Sequence, residues 1–552
     1  MRRQMQFFLF IIYGMVFSLS MLGGNASLVN AAALQNQSAI DAFYLNREGE
    51  ALWFNRSRLN QAGKDALGVL EQAWMNGLNP ETYHVEQVQE ILDLHWRLDE
   101  DEALLVELLL TDGVIRYLRD LSGMRVSARE IDLSSKHWRQ PISAEEALSY
   151  LSANLSTKRD MKAFMLSQEP QGATYKKLKS TLVELIENID DTQGSYTHPR
   201  LTFGSLVRPG RGYNDIPKLR LRMGLDDVAV EYRHTYDPEL VNAVMQFQDS
   251  KGLKADGLIG RQTLYVLNQT PQDKIRQVLA NMERLRWVAD EKPSRFIVVN
   301  IPSATLWAVD DGAVRFEMPV VVGRKKRQTN SFITEIHGVR FNPTWTVPPT
   351  IKEEDILPAL IKDPSYLANK GMELYDGYGK DAPTIDPSVI DWASITEGEL
   401  GMLRMVQVPG AHNPLGFVRI LMPNQHNIYL HDTNHRELFA RTNRAKSSGC
   451  IRLAEPEKVA SFVLESRKGW TTDKMHKILD KKKLRDIYTS ERMAVYILYY
   501  TVWLGRENQI IYGNDLYDRD KKLLQLLEKL DGLPILGKYD DRVINIVKNS
   551  NN

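Results

Sequence analysis

The chain has 552 residues, 43% apolar and 25% charged, with 70 lysines and arginines against 70 aspartates and glutamates. That length exceeds one ordinary core, so about two to four domains are expected. The even charge excludes a general affinity for nucleic acid or an anionic membrane surface, and a single cysteine excludes any internal disulfide.

Residues 1–33 read as a targeting segment. Arg2 and Arg3 form a basic start, residues 7–22 are mostly apolar, and small residues end at Ala31-Ala32-Ala33. The apolar run is close to membrane-spanning length, so a cleaved signal peptide and a retained N-terminal anchor both stay open. No later stretch of the sequence is long and apolar enough to span. Residues 34–200 have apolar residues at three- and four-residue spacing, which predicts a helical scaffold with helices over 58–73, 85–96 and 102–121. Gly77-Leu78-Asn79-Pro80 stops one helix. His84 and His137 are lone histidines with a structural or surface role, and the polar stretch 190–195 reads as a linker.

Residues 201–270 carry Ala243-Val244, Phe247-Gln248, Gly252-Leu253, Asp256-Gly257, Ile259-Gly260 and Thr263 at fixed offsets. This pattern resembles the three-helix peptidoglycan-binding module. Asp256-Gly257 is expected to form a tight turn, Gly260 to allow a close crossing, and Thr263 to support the last helix. A helical stretch over 274–288 then connects to a β pattern. Strands are expected over 295–302, in a hairpin around Asp310-Asp311-Gly312, and over 320–323 and 338–343, giving a small sandwich or barrel-like system.

The β pattern breaks between Pro348 and Leu403. Thr350 with Glu353 suggests a capping box, and Asp363-Pro364 begins a further helix that Gly371 ends. An insertion of this size reads as a lid or a decorative subdomain. The sheet is expected to resume at Met405, followed by a turn at Asn413-Pro414-Leu415-Gly416 and a strand over 417–422. Alternation in Ile428-Tyr429-Leu430-His431 puts Tyr429 and His431 on one face. A helix opens at Glu455-Pro456-Glu457. Strands over 494–503 and 509–512, a helix and an Asn-rich tail complete residues 476–552.

Cys450 follows Ser447-Ser448-Gly449 and stands between Arg444 and Arg452. Cationic neighbours favour the thiolate, and no disulfide explains the thiol, so a Cys450/His431 catalytic pair outweighs a buried structural cysteine. The N–H groups of Gly449 and Cys450, with the Tyr429 hydroxyl, are candidate oxyanion donors. Arg452 is a candidate anchor for a substrate carboxylate. His431 and His435 have a zinc-like spacing, but no glutamate follows the first histidine and the segment reads as strand. No metal and no cofactor are expected.

His431, fifteen residues, then Ser447-Ser448-Gly449-Cys450-Ile451-Arg452 resembles the signature of the L,D-transpeptidases with a YkuD-type catalytic domain. Val322-Gly323-Arg324, Asn342-Pro343 through Pro348, and Asn413-Pro414-Leu415-Gly416 add to the resemblance. The order of segments is similar to the large YcbB-like periplasmic branch. One departure is Ser448, where many relatives have histidine, so the proton work falls to His431. Asp432 or a backbone carbonyl is left to orient the ring.

The resemblance implies a multidomain α+β protein. Its parts are a helical N-terminal scaffold, the binding module, a mainly-β catalytic domain over 290–475 with a helical capping lid inserted at 349–402, and C-terminal elements completing the body. It implies a periplasmic cysteine acyltransferase that crosslinks the cell wall and so bears on cell shape. Such an enzyme removes terminal D-alanine from a peptidoglycan tetrapeptide stem and joins two diaminopimelates through a thioester. The same thiol would be a carbapenem target. Other cell-wall synthesis proteins are candidate partners, and membrane contact is expected only through an N-terminal anchor. Attachment of a lipoprotein or a D-amino acid, or a non-catalytic wall-binding scaffold, are the alternatives.

Overall fold

The computed structural model describes residues 34–533 apart from 95–96, 132, 134–136, 157–159 and 189–198. The targeting segment, the 190–195 linker and the Asn-rich tail lie outside the described residues.

The scaffold is helical, as its periodicity requires. Helices run over Gln37–Asn46, Gln61–Glu71, Val85–Leu94, Glu100–Ser122, Ala144–Ser156, Met161–Ser167 and Ala173–Glu187. The longest begins at a capping box in which Asp99 and Glu102 satisfy each other's backbone N–H, with Glu100, Asp101 and Glu102 in its positive first turn. Its apolar stripe, including Leu109, Leu110 and Leu118, packs with Leu67, Leu70, Val88 and Leu148 in one core. Gly77 ends the Ala73–Asn76 turn in the left-handed region, at φ 69°. His84 is structural: its Nε2 lies 2.9 Å from the buried Asp112 carboxylate.

The small module has three helices, Ile216–Arg222, Pro238–Ser250 and Arg261–Leu267. Its glutamine is a clamp: Gln248 accepts from Gly257 N at 2.9 Å and donates to Leu258 O at 2.9 Å, fixing the Asp256-Gly257 turn. Gly257 has φ +67°, and a Cβ there would meet Val241 at 2.8 Å. Gly260 differs from expectation. A Cβ at that position would touch only Leu206 at 3.7 Å, so no close crossing requires glycine.

Helix Pro271–Arg286, opened by a Thr270/Asp273 capping box, joins the parts. Glu283 on it accepts from Arg125 of the scaffold at 3.0 Å, Arg286 at 2.6 Å and Trp287 Nε1 at 3.0 Å. Arg125 and Arg286 hold the buried Glu283 carboxyl down to about 2 against the effect of burial. Arg284 on the same helix pairs with Asp520 of the C-terminal segment.

The main β system comprises β1 (Arg295–Asn300), β2 (Thr305–Asp310), β3 (Ala313–Gly323), β4 (Phe332–Phe341), β5 (Val418–Leu421), β6 (Leu430–His431), β7 (Ala445–Ser447), β8 (Ile451–Leu453) and β9 (Arg485–Leu498). Their order is β7-β3-β8-β6-β5-β4-β9-β1-β2, and β2 also pairs with β3, so the sheet closes on itself. Closure leaves no long free edge. Ile297, Val299, Leu306, Val320, Val339, Ile420, Leu430 and Ile451 fill the interior, joined by Val459 and Val463 of helix Pro456–Leu464. The C-terminal hairpin expected between 494–503 and 509–512 is split. β9 runs inside the barrel, parallel to β1, while Val502–Leu504 pairs with Ile510–Tyr512 apart from it.

The insertion contains the expected helices, but they stand on a sheet of their own. Leu403–Gln407 pairs with Trp345–Thr346 and Met372–Asp376, and the latter with Thr384–Ile385. The strand at Met405 therefore belongs to the insertion and does not resume the barrel. Leu360, Leu367, Leu374, Trp392, Leu400 and Met405 form its separate core. The Thr350/Glu353 capping box is not made: the helix starts without a side-chain cap and turns into a π segment at Lys352–Ile356. The insertion's capping box is Thr396 with Glu399.

Candidate active site

β6 and β8 lie side by side in parallel register, Leu430 opposite Ile451 and His431 opposite Arg452. Leu430 and Ile451 point into the core because the side-chain period is two. Tyr429, His431, Cys450 and Arg452 therefore share the opposite face. The Tyr429 and His431 rings meet edge to face at 5.5 Å. Arg419 on β5 pairs in register with His431 and lays its guanidinium over the Tyr429 ring at 4.0 Å.

The turn before Cys450 is closely tied. Gly449 has φ +118°, a conformation that favours glycine. Ser447 Oγ accepts from Gly449 N at 3.1 Å and donates to Cys450 O at 2.6 Å. The Gly449 N–H is thus committed within the turn, contrary to its expected oxyanion role, whereas the Cys450 N–H has no partner among the described residues. Ser448 is exposed, and its hydroxyl accepts from Arg327 at 3.0 Å.

Electrostatics also depart from the expectation of a resting thiolate. Burial pushes the Cys450 thiol up, and this outweighs hydrogen bonds from the Tyr429 backbone and hydroxyl and the fields of Arg419 and Arg452. The Arg444 guanidinium is engaged elsewhere, donating to the carbonyls of Ser303, at 2.9 Å, and Ala304. His431 is 4% exposed, and burial with nearby Arg452 pushes its ring down to about 3. Among the described residues no partner meets its Nδ1 with hydrogen-bond geometry. Both shifts favour a neutral thiol and a neutral imidazole at neutral pH. Burial and the neighbouring sulfur raise the Tyr429 phenol, so that it stays a donor.

Asp432 does not orient the His431 ring. Its carboxylate accepts from Phe417 N at 2.9 Å, Thr433 N at 2.7 Å and Arg436 at 2.7 Å, anchoring the Asn413–Gly416 turn. The backbones of Asp432 itself and of Pro414 face the ring and favour its charged form instead. Among the described residues Arg419 and Arg452 form no ion pair, and each has an unpartnered Nε. His435 is exposed and paired with Glu437 at 3.2 Å, so it does not join His431 in a metal site.

Sequence reasoning missed the loop that carries the turn. Thr329 is buried between β3 and the turn; its hydroxyl donates to Gly449 O at 2.7 Å and accepts from Gly323 N at 2.8 Å. Arg324 N donates to Ser447 O at 3.0 Å. Tyr517 donates to Gly323 O at 2.6 Å, and Arg519 reaches Thr329 O at 3.0 Å, so the C-terminal segment braces the same loop. The Gly323 backbone is crowded: a Cβ would lie 2.2 Å from Arg327 O. Only the Val322-Gly323-Arg324 motif hinted at this loop.

Comparison with known proteins agrees with this arrangement. Residues 294–476 match the family model described as the L,D-transpeptidase catalytic domain, YkuD. Residues 38–182 match a scaffold domain, and 222–267 a "Putative peptidoglycan binding domain". A curated relative from Haemophilus influenzae, "Putative L,D-transpeptidase", is 33% identical over 287 residues, covering 51% of this chain and 56% of the relative. The chain thus spans just over half the length of the curated relative it matches. An L,D-transpeptidase structure from Stackebrandtia nassauensis is 13% identical, with 53% of this chain and 94% of that one covered, at a TM-score of 0.18. One from Xylanimonas cellulosilytica is 12% identical, with 54% and 100% covered, at 0.16. At such scores neither bears on the fold. The matched segment spans β1 to β8 and includes both His431 and the Cys450 turn. Over residues 294–476 the chain is therefore similar to the YkuD family of L,D-transpeptidase catalytic domains.

Proposed function

We propose that the protein crosslinks peptidoglycan stems by cysteine acyl transfer, outside the cytoplasmic membrane in the periplasm. The observation that carries this reading is the alignment of Cys450 and His431 on one barrel face beside an unpaired N–H. In the reaction, Cys450 Sγ attacks the amide carbonyl between diaminopimelate and terminal D-alanine as His431 accepts the thiol proton. The C–N bond breaks, His431 returns the proton to the departing D-alanine amine, and the acyl group stays as a thioester. The side-chain amine of a second diaminopimelate then attacks the thioester and gives up a proton through His431, releasing the thiol and forming the crosslink.

The Cys450 N–H is positioned next to the nucleophile to receive the developing oxyanion, and one hydrogen bond of that kind contributes about 10²–10³ in rate. Tyr429 stabilises the thiolate through its hydroxyl. Arg419 and Arg452, free of acidic partners, suit the stem carboxylates. The module over 222–267 would hold the chain to the wall, and the insertion would keep water from the thioester. No helix among the described residues is long and apolar enough to cross a membrane.

Incubation with purified tetrapeptide dimers, with products identified by mass, tests the proposal. Release of D-alanine and a dimer joined between two diaminopimelates is expected. A lysine- or D-amino-acid-linked product would redirect the acceptor, and no acyl-enzyme in intact-mass spectra would overturn the reading. Cys450→Ala should remain unlabelled by a carbapenem while still binding sacculi. His431→Ala should lose about 10²–10⁴ in turnover with the fold retained by circular dichroism.

A further inference from the structure

One guanidinium joins the insertion to the nucleophile turn. Arg327 sits at the tip of the loop after β3, and its side chain is only 8% exposed. Its Nη1 donates to Asp355 Oδ2 at 2.7 Å and to Ser448 Oγ at 3.0 Å. Its Nε donates to Glu354 at 3.1 Å, and its Nη2 also reaches Glu354. Both acids lie on the π segment that opens the insertion, and Ser448 is two residues before Cys450. Arg324, in the same loop, adds a longer contact to Asp355 at 3.9 Å. On its inner side this loop holds Gly449 O through Thr329.

A guanidinium presents its donors in a fixed plane, so satisfying the insertion's carboxylates and the serine together fixes their relative positions. We propose that Arg327 is a positioning residue that makes seating of the insertion and alignment of the Cys450 turn a single equilibrium. When the insertion lifts, Arg327 loses both carboxylates and its hold on Ser448 loosens. When the insertion seats, the turn is locked with the Cys450 N–H in place. The physical reason to put arginine here is that neither acid touches the turn directly. The coupling runs mainly through this shared cation, with Arg324 adding its longer contact, and it is weakened by salt because Glu354 and Asp355 are about half exposed.

This inference rests on Cys450 being the reacting thiol. As the only cysteine, Cys450 gives a clean readout by intact-mass measurement of alkylation. The test compares iodoacetamide with a bulky polyethylene-glycol maleimide on wild type, E354Q/D355N, R327K and R327A, with thermal melting as the folding control. The double acid variant leaves the turn's residues untouched. It is expected to raise the maleimide rate relative to iodoacetamide by roughly threefold to tenfold, and to abolish the rise in that ratio that salt produces in wild type. R327K should fall between wild type and R327A. A bulky-to-small ratio unchanged by E354Q/D355N, or a salt response that survives it, would overturn the proposal. Because alkylation needs no substrate, that result would leave the transpeptidase reading standing, whereas a wild type that forms no acyl-enzyme would overturn only the latter.

Discussion

Cys450 and His431 illustrate how burial sets the chemistry of a residue pair. A thiolate–imidazolium pair needs an environment that favours charge on both groups. Here burial raises the thiol and lowers the ring to about 3, so both shifts keep the proton on sulfur. A thiol held above its ordinary value gains about tenfold in thiolate for each pH unit below that value. Iodoacetamide labelling of Cys450 should therefore rise about tenfold per unit between about pH 6 and about pH 8. A flat profile over that range would identify a preformed ion pair instead. Thr329 is the second residue whose loss is measurable. Thr329→Val removes the donor to Gly449 O and the acceptor of Gly323 N, both buried, at an expected cost of about 1–3 kcal/mol. Urea unfolding reads that cost. Acylation should fall further than alkylation, because a misplaced N–H affects an oxyanion but not a free thiolate.

At the scale of elements, the insertion behaves as a unit with its own core and its own sheet. Lys352 holds it together from inside. It is 1% exposed, donates to the Leu403 carbonyl at 2.7 Å, and also reaches the Leu400 carbonyl at the end of helix Glu397–Met402. An ammonium group at a helix C-terminus opposes the negative end of the dipole and satisfies carbonyls that have no intrahelical partner. Burial lowers its pKa without removing that role. Lys352→Met should destabilise the insertion by about 1–2 kcal/mol. Hydrogen exchange should then quicken over 345–407 while β1, β4 and β9 keep their protection. Uniform loss of protection across the barrel would show that the insertion is not an independent unit.

At the scale of the whole molecule, helix Pro271–Arg286 links the scaffold to the C-terminal segment, and that segment braces the loop beneath Cys450. Glu283→Gln would leave Arg125 and Arg286 buried without their shared charge, at an expected cost of about 3–5 kcal/mol. Calorimetry should show this as a large drop in Tm. The same carboxylate sets an acid limit. Its folded pKa of about 2 lies below the usual 4.5, so its contribution is complete above about 4.5 and is lost as the pH falls towards about 2. Stability of the wild type should decline through that window more steeply than stability of Glu283→Gln. Parallel declines would assign the acid sensitivity to other carboxylates.

Local information in the chain determined much of this. The helical scaffold, the Gln248 and Asp256-Gly257 turn and the alternation placing Tyr429 beside His431 depend on periodicity and turn chemistry within a few residues. They were readable for that reason, as was the candidacy of Cys450, which follows from its being the single thiol. The Thr350/Glu353 box failed because a two-residue signal cannot weigh itself against the packing of an insertion. Met405 lies in the insertion's sheet and not, as its alternation alone suggests, in the barrel, because an alternating strand carries no record of its partner. Arg327, Thr329, Arg419 and Tyr517 had no local signature at all. Arg327, Thr329 and Tyr517 owe their roles to residues about 27 to 194 positions away, and Arg419 owes its role to Tyr429 and His431 on the next strand. The resting charge state of the site was equally hidden, since flanking arginines suggested a thiolate while burial, a property of the folded surroundings, fixed the neutral thiol. Sequence nominated the candidate groups; tertiary structure decided their alignment and the burial that governs their protonation, because both depend on what the fold excludes water from.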